Sequence, residues 1–205
     1  MTSKANRAVG ATVTPAEREA YDENRAQGYA RSAHKDQRYG LHPYSTHLED
    51  VRKVLRDFGH GGALGIAAWL HDVVEDTDVT IDSIEASFGT SVAELVWAVT
   101  GVGSHRKERN QDAYRKILRR PRATILKLAD RIANVEACAK SNLRIELNLL
   151  DRYRDEYFDF RFWLYDPAMA LATSTTSTLP MWERLEKALY EGATRAGWLQ
   201  LGLAP

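Results

Sequence analysis

Between Ala63 and Val74 nearly every side chain is apolar, whichever way a helix would present it. A helix that is apolar all round has no solvent face, so it has to run through the middle of a core. Its end changes character abruptly. The stretch Trp69-Leu70-His71-Asp72-Val73-Val74-Glu75-Asp76-Thr77-Asp78 places five ionisable groups in eight residues. Desolvating such groups is costly unless they are paired or hold a cation. A solvated acidic helix end is the plain reading; a cation site requires matching ligands elsewhere in the chain.

The rest of the chain sets the frame. A length of 205 residues suits one domain with a full core, or a domain with an appended tail. Lys plus Arg equals Asp plus Glu at 28 each, so net charge points to neither a nucleic-acid nor a membrane partner. A lone cysteine, Cys138, excludes an internal disulfide framework and fits a reducing cytoplasm. Residues 1–14 lack the apolar segment of a signal peptide, and Gly61 to Leu70 is too short to span a bilayer.

Residues 1–13 are polar and aperiodic and read as disordered, leaving 14–205 as a single domain with C-terminal helices. Thr14-Pro15-Ala16-Glu17 starts a helix expected to run to about Gln37. A second begins near Ser45, with Thr46 and Glu49 spaced as a capping box and an apolar stripe Leu48, Val51, Val54, Leu55, Phe58. The buried helix 63–74 follows, then short helices capped by Thr80 and closed by Gly89 and Gly101. Residues 101–110 read as the longest internal loop. Helices are expected over 112–119, 121–140, 144–160 and 181–190, with a Ser/Thr-rich turn over 170–180. No segment alternates with a strand period, so the fold class is all-α.

Three segments carry chemistry. His47 falls on the inward stripe of its helix, where a histidine is ordinarily a hydrogen-bonded core residue. His71 and Asp72 diverge by about 100° on a helix, so both reach one ion only from the rim of a groove. In Lys127-Leu128-Ala129-Asp130-Arg131-Ile132-Ala133-Asn134, the residues Lys127, Asp130 and Asn134 leave the apolar face at helical spacing. Two imidazoles and two carboxylates make a mixed nitrogen–oxygen site for one divalent ion. An octahedral ion such as manganese would keep two positions open, whereas tetrahedral zinc would be closed by the same four ligands. Such an ion would polarise a phosphate oxygen and acidify water. Glu75 and Asp76 follow His71 and Asp72 by four residues each, where an acid or base beside the metal belongs. From His105 to Arg131 ten Lys and Arg face only Glu108, Asp112 and Asp130. Lys107 and Arg109, in the expected loop, are candidates to fold over a polyanion.

With these residues in hand, His47, His71-Asp72 and Asp130 resemble the metal ligands of the HD phosphohydrolase superfamily. The fuller strings resemble RelA/SpoT-type alarmone hydrolases: His34 to His47 with Gln37, Arg38 and Pro43-Tyr44; Leu70 to Asp78; Phe88-Gly89; and Lys127 to Arg131 with Asn134. The similarity covers about residues 17–160. It implies a synthetase-less small alarmone hydrolase with an HD-domain helical fold, which uses manganese to remove the 3′-pyrophosphate from (p)ppGpp or (p)ppApp. Carried over by position, Glu75 and Asp76 would handle the attacking water and leaving oxygen, Arg38 the base and Asn134 the ribose. The pattern departs at Tyr39-Gly40, where Lys-Ser is usual, at Leu48 for a proline and at Ala137 for a threonine. The segment from His34 to His47 is also one residue short. These departures bear on the base and phosphate count of the substrate.

A hydrolase of another nucleotide such as NADPH, and a non-catalytic alarmone-binding or antitoxin-like protein, are the competing readings. Trp97, Trp163, Trp182 and Trp198 read as core or dimer contacts, leaving a homodimer open. His42, His60 and His105 read as solvated, Cys138 as packing, and Glu136 as half of a buried pair.

Overall fold

The computed structural model describes residues 14–141, 144–166, 169 and 177–191. The segment 1–13, most of the 170–180 turn region and Trp198 lie outside the described residues. Helix α1 (Pro15–Ala33) opens with the expected capping box, Thr14 and Glu17 bonding reciprocally. It stops at Ala33, four residues early, and the chain enters a small antiparallel hairpin of β1 (Arg38–Tyr39) and β2 (His42–Pro43). Two-residue strands leave too short a pattern for alternation to register in the sequence. Gly40 supplies the turn's positive φ of 58°, which a side chain would resist.

Helix α2 (Ser45–Asp57) buries His47, Leu48, Val51, Val54 and Leu55. The expected Thr46 cap is not formed, since Tyr44 occupies the capping position with no side-chain cap bond. Helix α3 (Ala63–Leu70) is buried from Leu64 to Leu70, as its all-round apolarity requires. It does not run on to Val74. The Ala68 carbonyl, which a continued helix would offer to the Asp72 amide, takes the His71 ring at 2.9 Å. A separate turn, α4 (Val73–Asp76), then carries the two acids.

Helices α5 (Ile81–Phe88) and α6 (Thr90–Val99) meet at Gly89, and Thr80 caps α5 as expected. Helix α7 (Arg106–Arg119) starts well before Asp112, so Arg106 to Arg109 are helical. His105 accepts from the Glu108 amide, and Glu108 in turn accepts from the backbone and hydroxyl of Ser104. An imidazole in place of the usual hydroxyl cap hides that start in the sequence. Helix α8 (Ala123–Lys140) is the central strut, packed on α2 and on the last helix, α11 (Leu179–Glu191). Between them lie α9 (Arg144–Asp155) and α10 (Tyr157–Leu164), broken at Glu156 where one helix was expected.

One side chain departs from expectation: His60 is buried, with burial and nearby Arg122 lowering its pKa. Trp97 is exposed beneath the Lys116 ammonium, 3.8 Å from its ring centre, while Trp182 is buried. Glu136 does find its pair, Arg184, at 2.6 Å. Cys138 is buried in the core.

Leu126 is fully buried on α8. Leu126→Ala should cost about 2–5 kcal/mol, read as a lower urea midpoint, because the packed helices around it cannot collapse into the space.

Candidate metal centre

Core packing of α2, α3 and α8 brings the four expected ligands together. His47 Nε2 lies 3.5 Å from Asp72 Oδ2 and 3.4 Å from Asp130 Oδ1. His71 Nε2 lies 3.1 and 3.8 Å from the same two atoms. Ligand atoms of His47, His71 and Asp130 all fall within 4.8 Å of one another. Donors bonded at about 2.1 Å to an octahedral ion are about 3.0 Å apart when adjacent and about 4.2 Å when opposite. The observed separations suit a single small cation.

The donors are also turned to receive one. A carbonyl only accepts, so His71 Nδ1 donates to Ala68, which leaves Nε2 as the ring nitrogen that would bond an ion. That Nε2 atom is buried and has no hydrogen-bond partner, although two carboxylate oxygens crowd it. Burial opposes ionisation of Asp72 and Asp130, yet His71 beside the first and Lys127 beside the second hold both well below the usual carboxylate range. Conversely, burial disfavours a charged His71, but Asp72 and Asp130 outweigh it and lift its pKa to about 10; His47 moves the same way. The two carboxylates thus favour positive charge at the position the imidazoles surround. Residues and charge both fit a divalent ion.

Around the ligands sits a ring of supporting bonds. Tyr44, stacked on His34, donates its hydroxyl to Asp72 Oδ2 at 2.6 Å and stands 3.0 Å from Asp76. Lys127 bonds Asp130 Oδ2 at 3.0 Å, and Asn134 donates to Asp130 Oδ1 at 2.6 Å. Glu75 accepts from the Gly101 amide and faces Arg109 at 3.3 Å. Asp76 is pushed upward by burial and by neighbouring Asp72.

These groups line an open cavity shared with Arg106, Arg109 and Arg131. Of the expected substrate contacts, Arg109 and Asn134 line it. Arg38 is exposed on β1 and Lys107 is exposed on α7, and neither is among the lining residues. Helicity explains Lys107: it projects from α7 on a different side from Arg106 and Arg109.

The sequence reading gave no role to Tyr39, Tyr44, Arg131 or Glu156, and took Arg106 only as part of the basic loop. Glu156 grips Arg106 at 2.6 and 3.0 Å and Arg131 at 3.1 Å, turning two guanidinium groups toward the cavity. Tyr44, three residues before a ligand histidine at a helix start, had a spacing signal. Glu156 had none.

A family model described as HD domain matches residues 26–153. The chain belongs to the HD-domain family. Among its relatives is guanosine-3′,5′-bis(diphosphate) 3′-pyrophosphohydrolase of Aquifex aeolicus, 38% identical over 118 residues, 55% of this chain and 17% of that protein. The Vibrio cholerae protein of the same name is 38% identical over 115 residues, 52% of this chain and 16% of that one. The chain therefore spans about a sixth of these relatives' length. A solved structure of a metazoan ortholog of SpoT, described as hydrolysing ppGpp, superposes with a TM-score of 0.64 at 25% identity, covering 89% of this chain and 97% of that one. No helix among the described residues is long and apolar enough to cross a membrane.

Burial opposes ionisation of Glu156, but Arg106 and Arg131 hold its pKa below 4.5. A depressed carboxylate contributes stability that is fully present above 4.5 and is lost as pH falls through its folded value. Glu156→Gln should therefore cost about 2 kcal/mol at pH 7, with the deficit shrinking on acidification. Urea unfolding at a series of pH values measures it.

Proposed function

We propose that this chain is a manganese-dependent alarmone hydrolase. It removes the 3′-pyrophosphate from (p)ppGpp or (p)ppApp, taking up one water and releasing GDP/GTP or ADP/ATP plus pyrophosphate. The observation that carries this reading is the convergence of four donor atoms, from α2, α8 and the turn joining α3 to α4, with two further carboxylates beside them. Similarity to the metazoan SpoT ortholog along nearly all of that chain supports it.

His47, His71, Asp72 and Asp130 would hold the ion, which supplies Lewis acidity toward phosphate oxygens and water. Mixed nitrogen and oxygen donors, with room for more than four ligands, suit manganese. The protein's own groups do the rest. Glu75, anchored by the Gly101 amide, is placed to orient and deprotonate water. Asp76, anchored by Tyr44, is placed to serve the leaving oxygen. Arg109, with Arg106 and Arg131 behind it, meets the anionic groups of the nucleotide, and most of the rate comes from such fixed charge. Asn134 is the proposed ribose contact. Arg38 and Lys107, both exposed, serve the base and outer phosphates only if the nucleotide extends beyond the cavity rim. A small soluble nucleotide is the partner, and the cytoplasm is its compartment.

Asp72→Ala should abolish turnover and weaken manganese binding, whereas Glu75→Ala should lower turnover at least about 100-fold with the metal retained. Chromatography of a nucleotide panel incubated with protein and manganese reads the first effect, and elemental analysis the second. Cleavage of NADPH alone in that panel would replace the alarmone reading. Turnover by a metal-free Asp72 variant would remove the mechanism.

A further inference from the structure

Tyr39 lies at the tip of the hairpin, outside the set of ligands and acids, yet it touches two ligand-bearing helices at once. Its ring stacks on the His47 imidazole with centroids 4.9 Å apart and an angle of 24°. Its hydroxyl lies 3.0 Å from Asn134 Oδ1. Asn134 in turn spends both amide hydrogens on Asp130: one on the carboxylate at 2.6 Å, the other on the backbone carbonyl at 3.1 Å.

The bonding roles follow from chemistry alone. Both Asp130 oxygens only accept, so the amide must present its NH₂ group to them and its carbonyl oxygen to Tyr39. A carbonyl oxygen also only accepts, so Tyr39 is the donor. Rotating the amide by half a turn would set its oxygen against the carboxylate and lose both contacts. The two Asp130 acceptors therefore set which way Asn134 faces, and the Tyr39 hydroxyl holds the amide from its oxygen side.

We propose that Tyr39 is a positioning residue for the metal centre. Through Asn134 it aims Asp130 Oδ1 at the ion, and through its ring it fixes the plane of His47. The hairpin is firm enough for the task. Gln37 donates to the Asp76 carbonyl at 2.6 Å, Tyr44 holds Asp72 and Asp76 from the other end, and Gly40 closes the turn. One consequence concerns the substrate. With its NH₂ committed, Asn134 has only an oxygen lone pair to offer, so a ribose group that meets it has to donate a hydroxyl proton.

This inference rests on the proposed metal centre, and its test separates the two. Wild type, Tyr39→Phe, Asn134→Ala and the double variant are stripped of metal. Each is titrated with Mn²⁺ by calorimetry and melted in chelator. Tyr39→Phe keeps the ring and loses only the hydroxyl. It should bind Mn²⁺ about tenfold more weakly with an unchanged metal-free melting temperature, and the double variant should bind no more weakly than Asn134→Ala. Its turnover should recover as Mn²⁺ is raised to saturation, which Glu75→Ala should not do. Wild type that fails to bind Mn²⁺ overturns the metal centre itself. Wild-type binding with an equal affinity in Tyr39→Phe overturns the role of the hydroxyl alone. So does a loss that adds to that of Asn134→Ala, or a fall in the metal-free melting temperature without a change in affinity.

Discussion

Two carboxylates, buried Asp130 and half-buried Asp72, sit beside two buried imidazoles, and the molecule is arranged around that fact. Buried negative charge is tolerated only with positive charge or donors close by. Here the donors come from every direction: Tyr44 to one carboxylate, Lys127 and Asn134 to the other. The imidazoles fill the remaining side, and the carboxylates raise the pKa of both. Each support comes from a different part of the chain. The charge problem at the centre is thus what ties hairpin, short helices and α8 to one geometry.

Core packing sets that geometry at the scale of a bond length. His47 has Leu48 and Val51 as its buried neighbours on α2, and Asp130 stands between Ala129 and Ile132 on α8. Interiors packed at crystal-like density do not let such helices slide, so apolar contacts fix where polar atoms stand. The end of α3 shows the same coupling in reverse. His71 takes the carbonyl that would have continued the helix, and the chain turns so that Asp72 faces the cavity and Glu75 and Asp76 follow on their own turn.

Legibility in the sequence tracked how local each signal was. The all-α class and the buried α3 could be read from regular apolar patterns, and the proposed ligands stood out as His47 on an apolar stripe, His71-Asp72 at the end of an apolar run and Asp130 on a polar stripe beside one. The hairpin escaped because two-residue strands carry no period. The start of α7 escaped because histidine is a rare cap, so Arg106 passed for a loop residue. Glu156 lies 25 and 50 residues from the arginines it grips, and only folding reveals that it holds them. Arg38 came from the family resemblance and Lys107 from local charge; both are exposed and neither lines the cavity, so no cavity contact speaks for either.

The balance of charge around the cavity also explains why basic residues alone were a poor guide. An open arginine cluster would repel itself and the metal; acids alone would repel an anionic substrate. In the structure each cavity arginine has a carboxylate partner, Glu75 for Arg109 and Glu156 for Arg106 and Arg131. The two pairings differ in burial and hence in character. Arg131 is buried and bonded by Glu156 beneath the faces of Tyr153 and Phe160, so it is a fixed dipole of the wall. Arg109 and Glu75 meet at 3.3 Å with both side chains about a third exposed, a contact that contributes little to stability and exchanges easily. Arg106 is as exposed as Arg109, at 37% against 38%, so only Arg131 is locked into the wall. The carboxylate partners offset the arginines' mutual repulsion, and a polyanion could draw the two exposed guanidinium groups toward itself while the buried one stays fixed.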